Sequence, residues 1–535
     1  MRASSVKASS IKTRRILSLW LPRLPTDRLK RLLSGQDGAP DDAQPCVVVA
    51  KLNNALQISA LNDAAADIGL EIGLPLANAR AVCPDVQVFD ADETADAKLL
   101  GDIADWCDRF TPLVALDPPY GLLLDISGCA HLFGGEAEML RTVCESLARQ
   151  GFIVNAGVAS TPVCARTITR AARSCIVPDG EEARAISLLP VFALGADDAI
   201  TRGLRRAGLK TIGDVASRAP HEISARFGAA FTSLLQQALG QGDAPISPRK
   251  PLPDFMVEKR FAEPIATDNV IAAILSGLAQ MLVAAMDKQG KGARRLEASF
   301  FRTDGAVRTI AVDAGQPVTK VNVVDRLFRE RLDALADPLD PGFGFDLIRL
   351  SASRVEIVVQ EQRDFDTRTQ DNDELAALVD RLAARIGGKR VAVHLPLDTH
   401  IPERAVMPLP AQRYLTAALA AEWPVRAEAE PPLRPLRLFE RPEEIEVIAA
   451  AVPDGHPPRF KWRRAIHAVV RAEGPERIAM EWWRHQGEAL TRDYFRVEDA
   501  EGMRFWIYRD GLYSEPVSGK DEPAAPKWFV HGLFA

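Results

Sequence analysis

The sequence is short of the residues that build metal centres. It holds seven cysteines and eight histidines in 535 residues. The cysteines all lie between Cys46 and Cys175, no two form a CxxC pair, and their number is odd. Neither a zinc site nor a disulfide framework follows from such a set, and reduced thiols are the expectation. The histidines are scattered, with no HExxH and no HxH, which leaves no His-based metal motif. No metal and no cofactor are expected. No apolar run approaches the ~18 residues of a membrane span, so no membrane partner is expected either. The opening MRASSVKASSIKTRR carries five basic residues and no acidic one. No apolar core of a signal peptide follows, and residues 1–13 read as a flexible leader of a cytoplasmic chain, basic enough to touch phosphate. A net charge of -6 excludes a uniformly basic nucleic-acid coat but not a basic groove on one domain.

What is present is ordinary globular material. The composition is 47% hydrophobic and 26% charged, enough for packed cores, and the length suggests three or four domains at ~150 residues each. Ile16–Leu21 reads as a short buried strand. A helix then opens at Pro25–Thr26, with Thr26 as its N-cap. Cys46–Leu52 and Gln57–Leu61 form a hairpin about Asn53–Asn54. Helices near Asn62–Ile68 and Leu76–Cys83 and a strand at Val86–Phe89 follow. Apolar residues Leu99, Leu100, Ile103, Trp106 and Phe110 share one helical face. Strands at Leu122–Ile126 and Phe152–Val158 alternate with helices at Glu136–Gln150 and Val163–Ala172. The class is α+β and multidomain. Short helices joined by Gly turns occupy 188–248. A second α+β unit over 249–360 has strands at Glu297–Arg302, Val307–Val312 and Ser353–Val359 and helices at Val270–Lys288 and Val321–Leu335. An extension with a Pro-rich linker fills 361–458, and a small module fills 459–535. That module carries five of the eight tryptophans, a concentration that a loose tail does not show.

Four stretches carry a resemblance: GLEIGLPLANARAVCPDVQVF (69–89), GLLLDISG (121–128), NAGVASTPVCARTITRAA (155–172) and LRRAGLKTIGDVA (204–216). In this order and spacing they resemble a Y-family DNA polymerase over roughly 14–355. The resemblance implies a palm with inserted fingers (14–187), a helical thumb (188–248) and a little finger (249–360). It also implies carboxylates at two palm positions that hold two Mg²⁺ ions, which take hard oxygen ligands. Those positions fall on Trp20 and Pro22 in ILSLWLPRLPTDRL, and on Tyr120 and Gly121 before the strand Leu123–Gly128. None of the four supplies a carboxylate. Asp27 lies on the next helix, Asp125 matches a non-catalytic acid, and Asp117, behind Pro118–Pro119, is expected to point elsewhere. The finger positions that contact a triphosphate become Asp63 and Ala66. Trp20 and Tyr120 have two readings, plain core packing or filling of the vacated pocket.

The resemblance further implies DNA contacts. A helix-hairpin-helix-like element at 194–210 has Asp197 in place of a glycine, and Arg202, Arg205, Arg206 and Lys210 remain as phosphate partners or as a solvated basic face. Lys288, Lys291, Arg294 and Arg295 beside Gly290 and Gly292 read as a basic loop along duplex DNA. Arg166 stands where the family tends to have lysine. Pro435–Leu436–Arg437–Leu438–Phe439 resembles the bacterial sliding-clamp pentapeptide, with Pro435 replacing its glutamine. In the tail, RFKWRR (459–464) is the most exposed basic-aromatic candidate.

Together with LSLWLPRLPTDRL, PLRLFERPEEIEV, GPERIAMEWW, TRDYFRVEDAEGMRFWIYRDGLY and WFVHGLFA, these features identify the chain as similar to the ImuB family. Membership implies a non-catalytic, polymerase-like adaptor in damage-induced translesion synthesis, with four partners: DNA, the sliding clamp, an error-prone C-family polymerase and a RecA-related ImuA-like protein. Two other readings stay open. One is an active polymerase using displaced carboxylates such as Asp27, Asp117 and Asp125; the other is a DNA-binding module with no clamp role.

Overall fold

The computed structural model describes residues 14–34, 43–52, 54–171, 174–242, 245–358, 367–414, 423, 434–448, 455–484, 490–511 and 526–534. The basic leader and much of the Pro-rich stretch lie outside these residues. The chain divides into two compact units, Met1–Glu361 and Gln362–Ala535.

The first unit begins with β1 (Ile16–Trp20) and α1 (Leu24–Leu33). Helix α1 starts earlier than expected: Arg23 is its N-cap, and the Thr26 hydroxyl lies inside the first turn and donates back to the Arg23 carbonyl. An insertion follows, made of β2 (Cys46–Leu52), β3 (Ala55–Leu61), α2 (Asp63–Asp67), α3 (Leu76–Val82) and β4 (Gln87–Asp90). Its three strands form their own sheet in the order β3-β2-β4. The chain then returns through α4 (Glu93–Cys107), β5 (Val114–Asp117), β6 (Gly121–Asp125), α5 (Glu136–Arg149), β7 (Asn155–Ala159), α6 (Pro162–Arg170) and β8 (Cys175–Ile176).

The main sheet runs β5-β6-β1-β7-β8, with β1 at its centre. Central position explains why ILSLW is apolar on both faces. Alternation along β1 assigns the faces. Leu17 and Leu19 join the core built with Leu100, Ile103 and Trp106 of α4 and Val143 and Leu147 of α5. Ile16 packs with Val163, Cys164 and Ile168 on the α6 side, and there the Ser18 hydroxyl lies 3.1 Å from that of Thr169. Trp20, two residues on, faces α6 as well.

Short helices α7 (Glu182–Ile186), α8 (Asp198–Arg206), α9 (Ile212–Ala216), α10 (Pro220–Phe227) and α11 (Ala229–Ala238) follow. Leu204, Ile212, Val215 and Phe231 tie them to the α6 core. The unit ends with β9 (Phe255–Ile265), α12 (Asp268–Asp287), β10 (Lys291–Arg302), β11 (Val307–Val318), α13 (Val321–Asp333) and β12 (Phe345–Ile357), a sheet ordered β11-β10-β12-β9. Helix α12 is, by length and composition, apolar enough to cross a membrane, which corrects the expectation that no such run exists. Ser276, Gly277 and Gln280 interrupt its apolar residues, but charge is absent from Asn269 to Met286.

The second unit contains α14 (Thr367–Ile386), a hairpin of β13 (Ala392–Pro396) and β14 (Val406–Pro410), and α15 (Ala411–Tyr414). A closed antiparallel barrel follows: β15 (Arg437–Ile448), β16 (Arg459–Trp462), β17 (Ala465–Ile478), β18 (Arg492–Asp499), β19 (Arg504–Asp510) and β20 (Lys527–Leu533). Closure leaves no unpaired edge. Phe460, Phe495, Phe505, Ile507, Trp528 and Val530 fill it. The barrel starts at Arg437, inside the stretch read as linker, because β15 is needed to pair β16 with β20.

Among the described residues of the barrel, one buried ion group centres on Asp493. Asp493 is 0% exposed and accepts from Arg477 at 2.7 Å and from Arg509, itself 1% exposed, at 2.5 Å. Removing one partner leaves a desolvated carboxylate half-compensated. Arg509→Leu should cost ~3–5 kcal/mol, read as a lower denaturation midpoint followed by tryptophan fluorescence.

Candidate nucleic-acid interface

The register of the central sheet puts Trp20 directly opposite Gly121 on β6 and Asn155 on β7. The Leu21 N–H donates to the Tyr120 carbonyl at 2.9 Å, so the positions where the resemblance would place metal-binding acids lie near one another at one end of the central sheet. Their side chains give an indole, a pyrrolidine, a phenol and a hydrogen. The Trp20 and Tyr120 rings lie 6.0 Å apart at 47°, and Tyr120 packs on the palm core. Burial raises the Tyr120 pKa, and the charges of Asp96 and Glu93 add to the effect.

Cations complete the site. Helix α6 is capped by Thr161, whose hydroxyl accepts the Cys164 N–H at 3.2 Å, with Pro162 in its first turn. Val163, Cys164 and Ile168 point into the core, and that phase leaves Arg166 and Arg170, four residues apart, on the outer face toward β5 and β6. Both reach Asp117, Arg166 through Nη1 at 3.4 Å and Arg170 through Nη2 at 3.4 Å. The Arg170 guanidinium also lies 5.1 Å from the Trp20 ring centroid. Burial lowers the Arg170 pKa, with Asp117 opposing. Asp117, expected to point elsewhere, therefore turns toward Arg166 and Arg170 of α6. Gly121 makes room for this: a Cβ there would stand 2.6 Å from the Asp117 carbonyl oxygen.

The other two nearby carboxylates are engaged as well. Asp27 is 7% exposed and accepts the Ile153 N–H at 3.1 Å. Asp125 pairs with Arg14 at 3.1 Å and accepts from Ser127. Asp63, where the resemblance would place a triphosphate contact, pairs with Arg23 at 2.9 Å; Ala66 offers only a methyl group. Among the described residues no three His, Cys, Asp or Glu side chains group as metal ligands. One carboxylate already shared by two guanidiniums does not fit a pair of Mg²⁺ ions.

The basic surfaces divide. Arg202, Arg205, Arg206 and Lys210 are all exposed, and none has an ion-pair partner among the described residues; Arg205 lies 5.8 Å from the Phe192 ring. The second cluster is not a loop. Lys288 ends α12, and Gly290 turns with φ 63 into β10. Lys291 lies 5.4 Å from the Phe255 ring. Arg294 is 6% exposed, donates to the Gly315 carbonyl and approaches Glu356 at 3.5 Å. Arg295 is held by Glu297 and Asp313. Strand alternation, which a Gly/Lys/Arg run conceals, turns Arg294 inward.

In the tail, Leu436 is 86% exposed, while Leu438 packs beside Tyr494 and Trp506 and Phe439 stacks 6.3 Å from Trp462. Arg437 and Leu438 pair with Leu533 and Gly532 of β20. The pentapeptide is thus partly strand, not free linker. RFKWRR is β16 and its turn, with Phe460 in the core and Arg463 paired with Glu443. The reading of the sequence missed Arg170; its i, i+4 spacing from Arg166 was the available signal.

Two outcomes follow. Burial raises the Asp27 pKa to about 7. The folded state then holds this proton more tightly than the unfolded state between pH ~4 and ~7, and stability falls as pH rises through that window. Asp27→Asn should flatten that slope in melting curves taken from pH 4 to 8. Gly121→Ala should lower stability by ~1–3 kcal/mol, because the Asp117 backbone must move; calorimetry reads the change.

The impB/mucB/samB family profile matches residues 41–170, and that family's C-terminal domain matches residues 254–365. DNA polymerase IV of Dehalococcoides mccartyi (strain CBDB1) is 25% identical over 285 residues, covering 52% of this chain and 72% of that protein. Among solved structures, DinB from Sulfolobus solfataricus aligns with a TM-score of 0.38 and 15% identity over 64% of this chain and 100% of that one. Protein ImuB of Caulobacter vibrioides (strain NA1000 / CB15N) is 39% identical over 476 residues, 87% of this chain and 100% of that protein. By that nearly end-to-end match, the chain belongs to the ImuB family.

Proposed function

We propose that the protein is a catalytically inactive, Y-family polymerase-like adaptor acting at damaged DNA. It grips primer–template without sequence preference, tethers itself to the sliding clamp, and brings in an error-prone C-family polymerase together with an ImuA-like RecA-related protein. The observation that carries this reading is the palm: an indole, a proline, a phenol and a glycine stand where two metal ions would need carboxylates, and Asp117 is shared by Arg166 and Arg170. Nucleotidyl transfer by this fold depends on those ions to activate the primer hydroxyl and offset triphosphate charge. The rival with displaced carboxylates draws no support from Asp27, Asp117 or Asp125, each already bonded elsewhere.

DNA contact is assigned first to the thumb, where Arg202, Arg205, Arg206 and Lys210 are exposed. Contacts of this kind release counterions and weaken with salt. Arg294 and Arg295, held by protein partners, are dropped from the DNA surface; Lys288 and Lys291 stay in it. Arg166 is kept as a palm cation.

Clamp docking is assigned to 435–439, with Leu436 as the anchor already facing solvent. Full engagement would draw Leu438 and Phe439 out of the barrel, so docking and the start of β15 compete.

Purified protein with Mg²⁺, primer–template and dNTPs should show DNA binding but no extension; robust incorporation would sink the adaptor reading. Replacing the four thumb cations by Gln should weaken DNA binding at least ~10-fold and flatten its salt dependence. Leu436→Ala should reduce clamp pull-down without changing the melting of the barrel. Pull-down unchanged in both Leu436→Ala and the Leu438→Ala/Phe439→Ala double variant would remove the tether.

A further inference from the structure

Helix α12 turns an unusual face to solvent. Its inner face, with Ile271, Leu275, Leu278, Leu282 and Met286, is buried. Yet only 33% of its most apolar stretch is buried. Beside the inner face, Val270 is 44% and Met281 59% exposed, and Ala273, Gly277 and Ala284 lie exposed between and after them. A surface helix ordinarily turns charge outward on that side; α12 has none between its two terminal aspartates.

Next to this face α12 and α13 part to form a groove of about 720 Å³. Ile271, Leu275, Val324, Phe328 and Leu332 give it an apolar lining. Its charged lining is Asp268, Asp325 and Asp333 against Arg329, with Asn269 and Ser276 also polar; Asp325 accepts from the Ser276 hydroxyl at 2.8 Å, and neither Asp268 nor Asp333 has an ion-pair partner among the described residues. The approach is open: a Cβ added at Gly277 would meet nothing within 4 Å.

From this geometry we propose that the α12/α13 groove and the bare face of α12 dock an amphipathic helix of a protein partner, apolar on one side and flanked by Lys or Arg. Helix-in-groove recognition supplies the apolar anchoring. The excess of carboxylates selects the flanking charge. A second copy of this chain would bring like charges together, and an anionic bilayer would meet the same repulsion. The 20 residues of α12 extend ~30 Å, room for about five turns of a partner.

The test is fluorescence anisotropy of the full chain with a labelled Leu/Lys amphipathic helix of about 18 residues, which matches the span of α12, beside the same peptide carrying Glu for Lys. The Leu/Lys peptide should bind saturably, and the Leu/Glu peptide at least ~10-fold more weakly. Ala272→Arg and Met281→Arg, both at exposed positions, should each weaken binding ~10-fold with unchanged melting. Asp268→Asn with Asp333→Asn should narrow the preference for Lys over Glu. Equal binding of the two peptides, or binding untouched by both arginine variants, overturns the proposal. So does self-association in sedimentation velocity that Met281→Arg abolishes, which assigns the face to a second copy. Co-sedimentation with phosphatidylglycerol vesicles that the same variant abolishes also overturns it, in favour of a lipid surface.

Discussion

One carboxylate shared by two guanidiniums sets the character of one end of the central sheet. Asp117 brings one negative charge to the end of the sheet, and Arg166 and Arg170 bring two positive ones. The site therefore supplies its own cations, fixed on a helix. Arg170 adds a second contact by lying over Trp20, an interaction worth ~0.5–2 kcal/mol according to how far the pair is desolvated. The indole gains a partner that no carboxylate at that position could have offered it. Gly121 belongs to the same arrangement, since any side chain there would collide with the Asp117 backbone. Trp20, Asp117, Gly121 and Arg170 thus depend on one another.

The scaffold around them is ordinary. β1 is covered on both faces, with Leu17 and Leu19 on one side and Ile16 on the other. Arg109 and Asp346 form a two-bond ion pair at 2.7 and 2.9 Å between the turn after α4 and strand β12 of the four-stranded sheet. The physical contrast lies between this packing and the chemistry at the end of the central sheet, where register sets Trp20 opposite Gly121 and neither carries an acid.

The barrel of the second unit answers a different constraint. A six-stranded closed sheet needs its first strand to meet its last, and β15 does so by pairing Arg437, Leu438, Glu443, Glu444 and Ile445 with β20. The register slips between Leu438 and Glu443, and Phe439 reaches Trp462 from that irregular stretch. A segment that reads as a linear motif thereby gains a structural duty. Asp493, buried in the barrel, is matched by both Arg477 and Arg509, since an unmatched ion there would cost several kcal/mol.

Local sequence determined the element types in the first unit. The hairpin around Asn54, with its φ of 66, and the helix–strand alternation from β1 to α6 follow hydrophobic period and turn chemistry, which act within a few residues. That Trp20, Pro22, Tyr120 and Gly121 carry no carboxylate was also legible, because it needs only the residues themselves. The partners of charged side chains were not. Whether an arginine faces DNA, a carbonyl or a carboxylate is decided by strands and helices far away in the chain: Arg294 turned inward to Gly315, and Asp117 met two arginines 49 and 53 residues further on. The start of the barrel escaped for the same reason, since a Pro-, Arg- and Glu-rich stretch has a linker's composition until closure with β20 recruits it. The chain's own order fixed which pieces would form; only long-range pairing, which sums register, burial and charge over the whole fold, fixed what each exposed or hidden side chain would touch.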